Sequence, residues 1–266
     1  VKLCCWCCNR FKWGSILMKI NAFIPVRMSS SRFPGKPLTK LLKMTMLEHV
    51  WRRTKMSDVD ETYVALCDKE TVDICKKIGA KYIITSKKHE MCMDRIAEAS
   101  YKKKSDMIVT VQGDEPLITP QMINLTIKKL LKKKNELFCT TLAQKIISKQ
   151  EINNPNRVKI IWNKMEEVIY ISRSAIPSAA KFKGKIDYYK MVCVYTLLRK
   201  NLKKFQNFGI SRNESIESID MLRILDNGKK LGIDTIKGKV ENIDVKADIP
   251  KVIKLLKNDS LLKKYI

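Results

Sequence analysis

The chain predicts an α/β fold, a mostly parallel sheet carrying a small antiparallel β lobe. Three observations support this. Short apolar runs at 20–24, 62–66, 82–85 and 107–112 alternate with helix-like stretches at 46–55, 70–78 and 94–103, the order expected of βαβ units. From residue 138 the rhythm changes: 138–143, 158–162, 167–171 and 191–198 read as strands without regular helices between them, and antiparallel pairing is expected there. Helices then return at 200–205, 214–227 and 246–257, with Gly228 as a stop.

Between the two regimes, 120–134 reads as a helix opened by Thr119 as N-cap with Pro120 in its first turn. No repeat or Gly/Ser linker interrupts the chain, so one continuous domain is expected over 18–266, with the lobe at roughly 138–198. Met18 directly precedes the first strand, and residues 1–17 are read as an upstream extension, non-native or disordered. Its Cys4-Cys5-Trp6-Cys7-Cys8 run holds two overlapping Cys-x-x-Cys spacings, but no second half of a zinc site follows. The remaining cysteines are scattered, and reduced thiols in a cytoplasmic protein are expected.

At 266 residues, with 45% hydrophobic and 30% charged content, the chain can bury a substantial core and does not resemble a disordered one. No run of about 18 apolar residues is present, which argues against a spanning helix and a membrane partner. The net charge of +26 raises nucleic acid as a partner. The lysines, however, spread through helix-like segments such as 128–134 and 200–204, without interleaved aromatics or a nucleic-acid motif. They read as solvated faces that draw anionic substrates, an effect salt weakens.

The run Ile24-Pro25-Val26-Arg27-Met28-Ser29-Ser30-Ser31-Arg32-Phe33-Pro34-Gly35-Lys36-Pro37-Leu38 leaves the first strand with three cations, three serines and one glycine. Hydroxyls and backbone N–H groups can cradle phosphate oxygens, and Arg and Lys supply counter-charge. Composition alone leaves a basic Ser/Pro-rich surface loop equally open.

The pattern Pro-x-Arg-x-x-Ser-x-Arg-x-Pro-Gly-Lys-Pro-Leu resembles the signature of the sugar-acid cytidylyltransferases, and most nearly their 3-deoxy-manno-octulosonate (KDO) branch. The likeness continues through Asp94-Arg95-Ile96-Ala97-Glu98-Ala99, Val111-Gln112-Gly113-Asp114-Glu115-Pro116-Leu117-Ile118 and Asn154-Pro155-Asn156-Arg157-Val158-Lys159. It goes on with Tyr170-Ile171-Ser172-Arg173-Ser174-Ala175-Ile176-Pro177, Glu214-Ser215-Ile216-Glu217-Ser218-Ile219-Asp220-Met221-Leu222-Arg223 and Asn242-Ile243-Asp244, in order over roughly 18–256. The resemblance implies a nucleotidyltransferase-type, Rossmann-like fold. It implies transfer of CMP from CTP to the anomeric hydroxyl of a 3-deoxy-ulosonic acid, KDO first, for surface glycan synthesis. It also implies Mg²⁺ and a cytoplasmic homodimer formed through the β lobe.

Residue by residue, it implies that Arg27, Ser30, Ser31, Arg32, Lys36 and Asp94 bind the nucleotide, with Arg27, Lys36 and Asp114 in catalysis. Asp114 and Asp244 are implied as metal ligands. Gln112, Arg173, Tyr195, Glu214 and Glu217 fall to the sugar acid. Independent chemistry supports several of these. Asp114 lies just past a strand, where an α/β sheet presents ligands, although a turn-forming Asp is the alternative. Asp244 is equally placed to cap the helix at 246–257. Ser30 and Ser31 can cap a turn instead, and Glu214 and Glu217, at i and i+3, can share a solvated helix face. Arg173 suits a carboxylate because its guanidinium bonds in bidentate fashion. His49 and His89 read as surface residues without a catalytic role.

The chain departs from the family pattern at several positions. Met91-Cys92-Met93 stands for Ser-Gly-Thr, Lys43-Met44-Thr45 for Gly-Lys-Pro, Met191 for a sugar-contacting His, Cys193 for Gly and Val245 for Thr. Most of these losses concern the acceptor half. They keep open a different nonulosonic or modified KDO-like acid, a catalytically impaired nucleotide-binding homologue, and a basic binding protein on the same fold.

Overall fold

The computed structural model describes residues 12–13, 16–30 and 32–266. The cysteine-rich run at 4–8 and Ser31 lie outside the described residues.

Strand β1 (Ile20–Pro25) is buried along its whole length and pairs in parallel with β2 (Glu61–Leu66) and β4 (Met107–Val111). Beyond β2 lies β3 (Lys81–Ile84), giving the order β3-β2-β1-β4. The runs in β1 and β4 are buried throughout and mostly apolar, without polar/apolar alternation, because helices cover both faces. Ile24 and Val109 face α1 (Met46–Lys55), α4 (Pro120–Lys132) and α9 (Ile249–Lys257) through Leu47, Ile123 and Val252. Their neighbours Phe23 and Ile108 point to the opposite core, with Ile96 of α3 (Cys92–Tyr101) and Phe205 of α6 (Arg199–Asn207). Helix α2 (Lys69–Ile78) closes against β3, ending at Gly79 with φ 71°. The expected Thr119 cap is present: its hydroxyl accepts from Met122 N at 3.3 Å.

The antiparallel strands join this same sheet. The long β8 (Tyr189–Leu198) runs antiparallel to β4 on one side and to β5 (Cys139–Lys145), which the short helix α5 (Lys149–Ile152) follows, on the other. The hairpin of β6 (Lys159–Trp162) and β7 (Val168–Ser172) attaches to the start of β8 at Lys159–Lys190. Strand β9 (Leu231–Ile236), not anticipated from the sequence, adds in parallel to β5. No helix among the described residues is long and apolar enough to cross a membrane.

Three expectations change. The helix expected at 214–227 is two pieces, α7 (Arg212–Glu217) and α8 (Leu222–Asp226), broken where Ser218 turns left-handed at φ 50°. Helix α9 begins after a 3₁₀ turn at Lys246–Asp248, and Asp244 does not cap it. Asp248 Oδ2 instead accepts from the amides of Asp244 and Val245, at 2.8 and 3.1 Å. His49 is not a surface residue but is fully buried. Its Nδ1 meets Tyr265 Oη and its Nε2 meets Leu41 O, both at 2.9 Å. Burial holds its pKa below the usual value.

The sheet order places β2 and β3 on one side of β1 and β4 on the other. Crossovers leave in opposite directions there, which opens a crevice above the carboxyl ends of β1 and β4. Gly113 lets the two loops meet at that point. A Cβ there would fall 2.8 Å from Val26 Cγ1 and 2.9 Å from Pro25 O.

Candidate active site

The crevice is a cleft of about 840 Å³. One wall is the loop that follows β1. Met28 N donates to Asp68 Oδ2 at 2.8 Å, and Met28 O accepts from the amides of Ser30 and Gly35, each at 3.0 Å. Gly35 supports this turn at φ 73°. Ser30 Oγ accepts from Phe33 N at 3.3 Å, which leaves the hydroxyl proton free to donate. The turn aims three cations into the cleft. Arg27 is exposed on its lining. Arg32 donates from Nη1 to Asn156 Oδ1 and sets Nη2 3.2 Å from Asp244 Oδ1. Lys36 Nζ donates to Asp114 Oδ2 at 2.6 Å and to Ile243 O at 2.9 Å. Burial works against the Lys36 charge, but the Asp114 carboxylate outweighs it and raises the pKa.

Asp114 extends past β4 and is tied to the 242–244 segment by Ile243 N donating to Asp114 O at 3.1 Å. Asp244 is buried, its Oδ2 receiving Arg157 Nη1 at 3.2 Å and Asn242 Nδ2. Burial, and then the negative charge of Asp114, raise the Asp244 pKa. Two carboxylates that repel one another at the mouth of a cationic loop suit a hard divalent cation completed by phosphate oxygens and water. Among the described residues no group of three or more His, Cys, Asp or Glu side chains forms an all-protein cage.

The opposite wall carries Gln112, Arg173, Ser218, Asp220, Met91 and Cys92. Arg173 is anchored through its own backbone and side chain. Its amide donates to Glu217 Oε2 at 2.8 Å, Nε to Glu217 O at 2.6 Å, Nη1 to Pro155 O at 3.0 Å and Nη2 to Ser218 O at 3.2 Å. The second Glu217 oxygen accepts from Ser172 Oγ at 2.6 Å. Burial pushes the Cys92 thiol up to about 12.

Arg27, Ser30, Arg32, Lys36, Gln112, Asp114 and Arg173 thus line one cleft, and Asp244 adjoins it through Arg32. Asp94, Tyr195, Glu214 and Glu217 lie outside its lining, each for a visible reason. Glu214 is fully buried and bonds Arg223 at 2.6 and 2.7 Å while closing a capping box with Ser211. Asp94 meets the same guanidinium at 3.0 and 3.3 Å. Tyr195 is buried beneath the floor, its hydroxyl 3.9 Å from Met191 Sδ. Glu217 spends both oxygens on Ser172 and Arg173, as above.

Sequence reasoning missed Asp220, which enters the cleft because the helix breaks at Ser218. Its carboxylate caps α3 from a distance, accepting from Met93 N at 2.7 Å. Desolvation, with Glu214 and Asp94 nearby, raises its pKa to about 6. The available signal was the third acid in Glu214-x-x-Glu217-x-x-Asp220.

A family model described as cytidylyltransferase matches residues 21–231. A 3-deoxy-manno-octulosonate cytidylyltransferase of Fusobacterium nucleatum is 36% identical over 245 residues, covering 92% of this chain and 99% of that protein. One from Thermodesulfovibrio yellowstonii is 38% identical over 247 residues, covering 88% and 96%. Among solved structures, CMP:2-keto-3-deoxy-manno-octonic acid synthetase complexed with CTP superposes with a TM-score of 0.83 at 31% identity, covering 90% of this chain and 99% of that one.

Proposed function

The chain belongs to the cytidylyltransferase family, and from that premise we propose that it transfers CMP from CTP to the anomeric hydroxyl of KDO, releasing pyrophosphate. The observation that carries this reading is the meeting of the Arg27–Arg32–Lys36 loop with Asp114 at the switch point of the sheet, with Arg173 on the facing wall.

In this reading Arg27, Arg32, Lys36 and the backbone of the Ser30 turn receive the triphosphate. Asp114 and Asp244 would hold Mg²⁺, which when bound spreads the triphosphate charge and makes the α-phosphorus a better electrophile. Arg173 receives the carboxylate of the sugar acid, while Gln112 and Asp220 bond its hydroxyls. Holding the anomeric oxygen in line with the α-phosphorus supplies much of the rate, since both reactants are oriented before the step. Asp94 and Glu214 act through Arg223, fixing the start of α3 and the turn that carries Asp220. Glu217 acts through Arg173.

A cytoplasmic setting is part of the proposal, supported by free Cys67, Cys75, Cys92, Cys139 and Cys193. So is a homodimer through the antiparallel lobe, where Ile169 of β7 leaves an apolar side chain exposed. A second acceptor has one observation in its favour: Met91 and Cys92 give the sugar wall soft, weakly hydrogen-bonding groups, which suit an acid with fewer or different hydroxyls than KDO. Pyrophosphate release from CTP and Mg²⁺ with a panel of ulosonic acids tests the proposal. Release with KDO is expected. Release with another acid alone moves the acceptor, and silence across the panel with CTP still bound overturns the enzyme.

A further inference from the structure

Lys159, the first residue of β6, is fully buried. Among the described residues the other two buried lysines each bond a carboxylate: Lys129 meets Glu166 and Asp234, and Lys190 meets Glu241. Lys159 does not. Its ammonium donates to Asn154 O at 2.9 Å and to Arg173 O. Placing a charge in the interior on carbonyl partners alone is costly compared with an apolar side chain of similar size. Burial and the Arg173 charge both depress its pKa, with Glu217 opposing them. A purely structural role would not need the charge, so what the two carbonyls belong to matters.

One carbonyl is that of Arg173. The other opens the Asn154-Pro155-Asn156-Arg157 segment, whose residues each reach a different part of the site. Pro155 O accepts from Arg173 Nη1 at 3.0 Å. Asn156 Oδ1 accepts from Arg32 on the phosphate loop. Arg157 Nη1 bonds Asp244 Oδ2 at 3.2 Å, and its amide donates to Asn154 O at 3.0 Å. We propose that Lys159 is a positioning residue that clamps the 154–157 segment to Arg173 and so holds the sugar-acid and nucleotide halves of the cleft in register. This rests on the function proposed above.

The two halves can be perturbed separately, which makes the clamp testable. Arg173→Ala is expected to raise the KM for KDO alone, and Asn156→Ala the KM for CTP alone. Lys159→Met is expected to raise both by about ten-fold, with a smaller fall in kcat. Lys159→Gln, which keeps amide donors for the two carbonyls without the charge, is expected to recover part of both losses. It also carries the test if the Met variant fails to fold. Both KM values within two-fold of native in a folded Lys159 variant would overturn the clamp, as would a rise in only one. If the native chain turns over no acid, the proposed function fails, and the CTP-induced rise in Tm still decides the nucleotide arm. A smaller rise in Lys159→Gln than in the native chain supports the clamp, and an equal rise refutes it.

Discussion

Glu217→Ala separates a residue that touches the sugar from one that holds the residue touching it. Glu217 receives Ser172 Oγ at 2.6 Å and Arg173 N at 2.8 Å, and its own carbonyl takes Arg173 Nε. Hydrogen bonds to a charged acceptor contribute about 1.5–3 kcal/mol each. Because the side chain is only half-buried, the low end applies, about 3 kcal/mol for the pair. If half of that, about 1.5 kcal/mol, appears as misplacement of Arg173, the KM for the acid rises slightly more than ten-fold, at about 1.4 kcal/mol per factor of ten. The remainder lowers stability. The assay is steady-state pyrophosphate release at saturating CTP, run with KDO and with acids lacking one hydroxyl at a time. A supporting role predicts the same proportional loss for every acid and a smaller loss of the same kind in Ser172→Ala. A loss that disappears with one deoxy acid would mean that Glu217 bonds that hydroxyl, and the reasoning would be refuted.

Asp114→Asn is expected to abolish turnover with little change in Tm, and to remove the Mg²⁺ dependence of the CTP-induced Tm rise; turnover within ten-fold of native would exclude Asp114 as a metal ligand. Asp220, with its pKa raised to about 6, accepts more strongly from a sugar hydroxyl once ionised, so kcat/KM for the acid should fall below about pH 6 and Asp220→Asn should erase that limb. The same titration has a stability sign: between about pH 4 and 6 the native chain binds a proton the unfolded chain has released, so Tm should decline across that window as pH rises, and less so in Asp220→Asn. Tyr265→Phe removes the hydroxyl joining Arg53 Nε at 2.8 Å to His49 Nδ1 at 2.9 Å, and two buried groups left unpaired should lower Tm by about 4–8 °C at unchanged KM values.

The parallel half of the sheet was readable because β1 and β4 are buried end to end and apolar but for Asn21 and Thr110, as strands covered on both faces tend to be. Strand β9 was not: Gly232, Asp234 and Thr235 interrupt its apolar run, and it is held by register with the distant β5. The break at Ser218 was hidden for a related reason. Local sequence there supports a helix, but Glu217 is drawn to Ser172 and Arg173, more than forty positions earlier. Asp114 could be located because a strand end fixes it. For Asp94 and Glu214 the sequence supplied charges without directions, and buried Arg223 claims both. His49 was misread because its partner, Tyr265, comes from the far end of the chain.

The Lys36–Asp114 pair has a consequence for the order of events. Lys36 Nζ and Asp114 Oδ2 satisfy one another at 2.6 Å, so a cation and an anion of the cleft wall neutralise each other. A lone anion entering there competes with Asp114 for the charge of Lys36. A lone cation must do the reverse. Only a ligand that brings both signs together, such as a metal–triphosphate complex, exchanges one ion pair for two. On the proposed function, the pair would favour a ligand that carries both signs over inorganic phosphate or a free divalent ion alone.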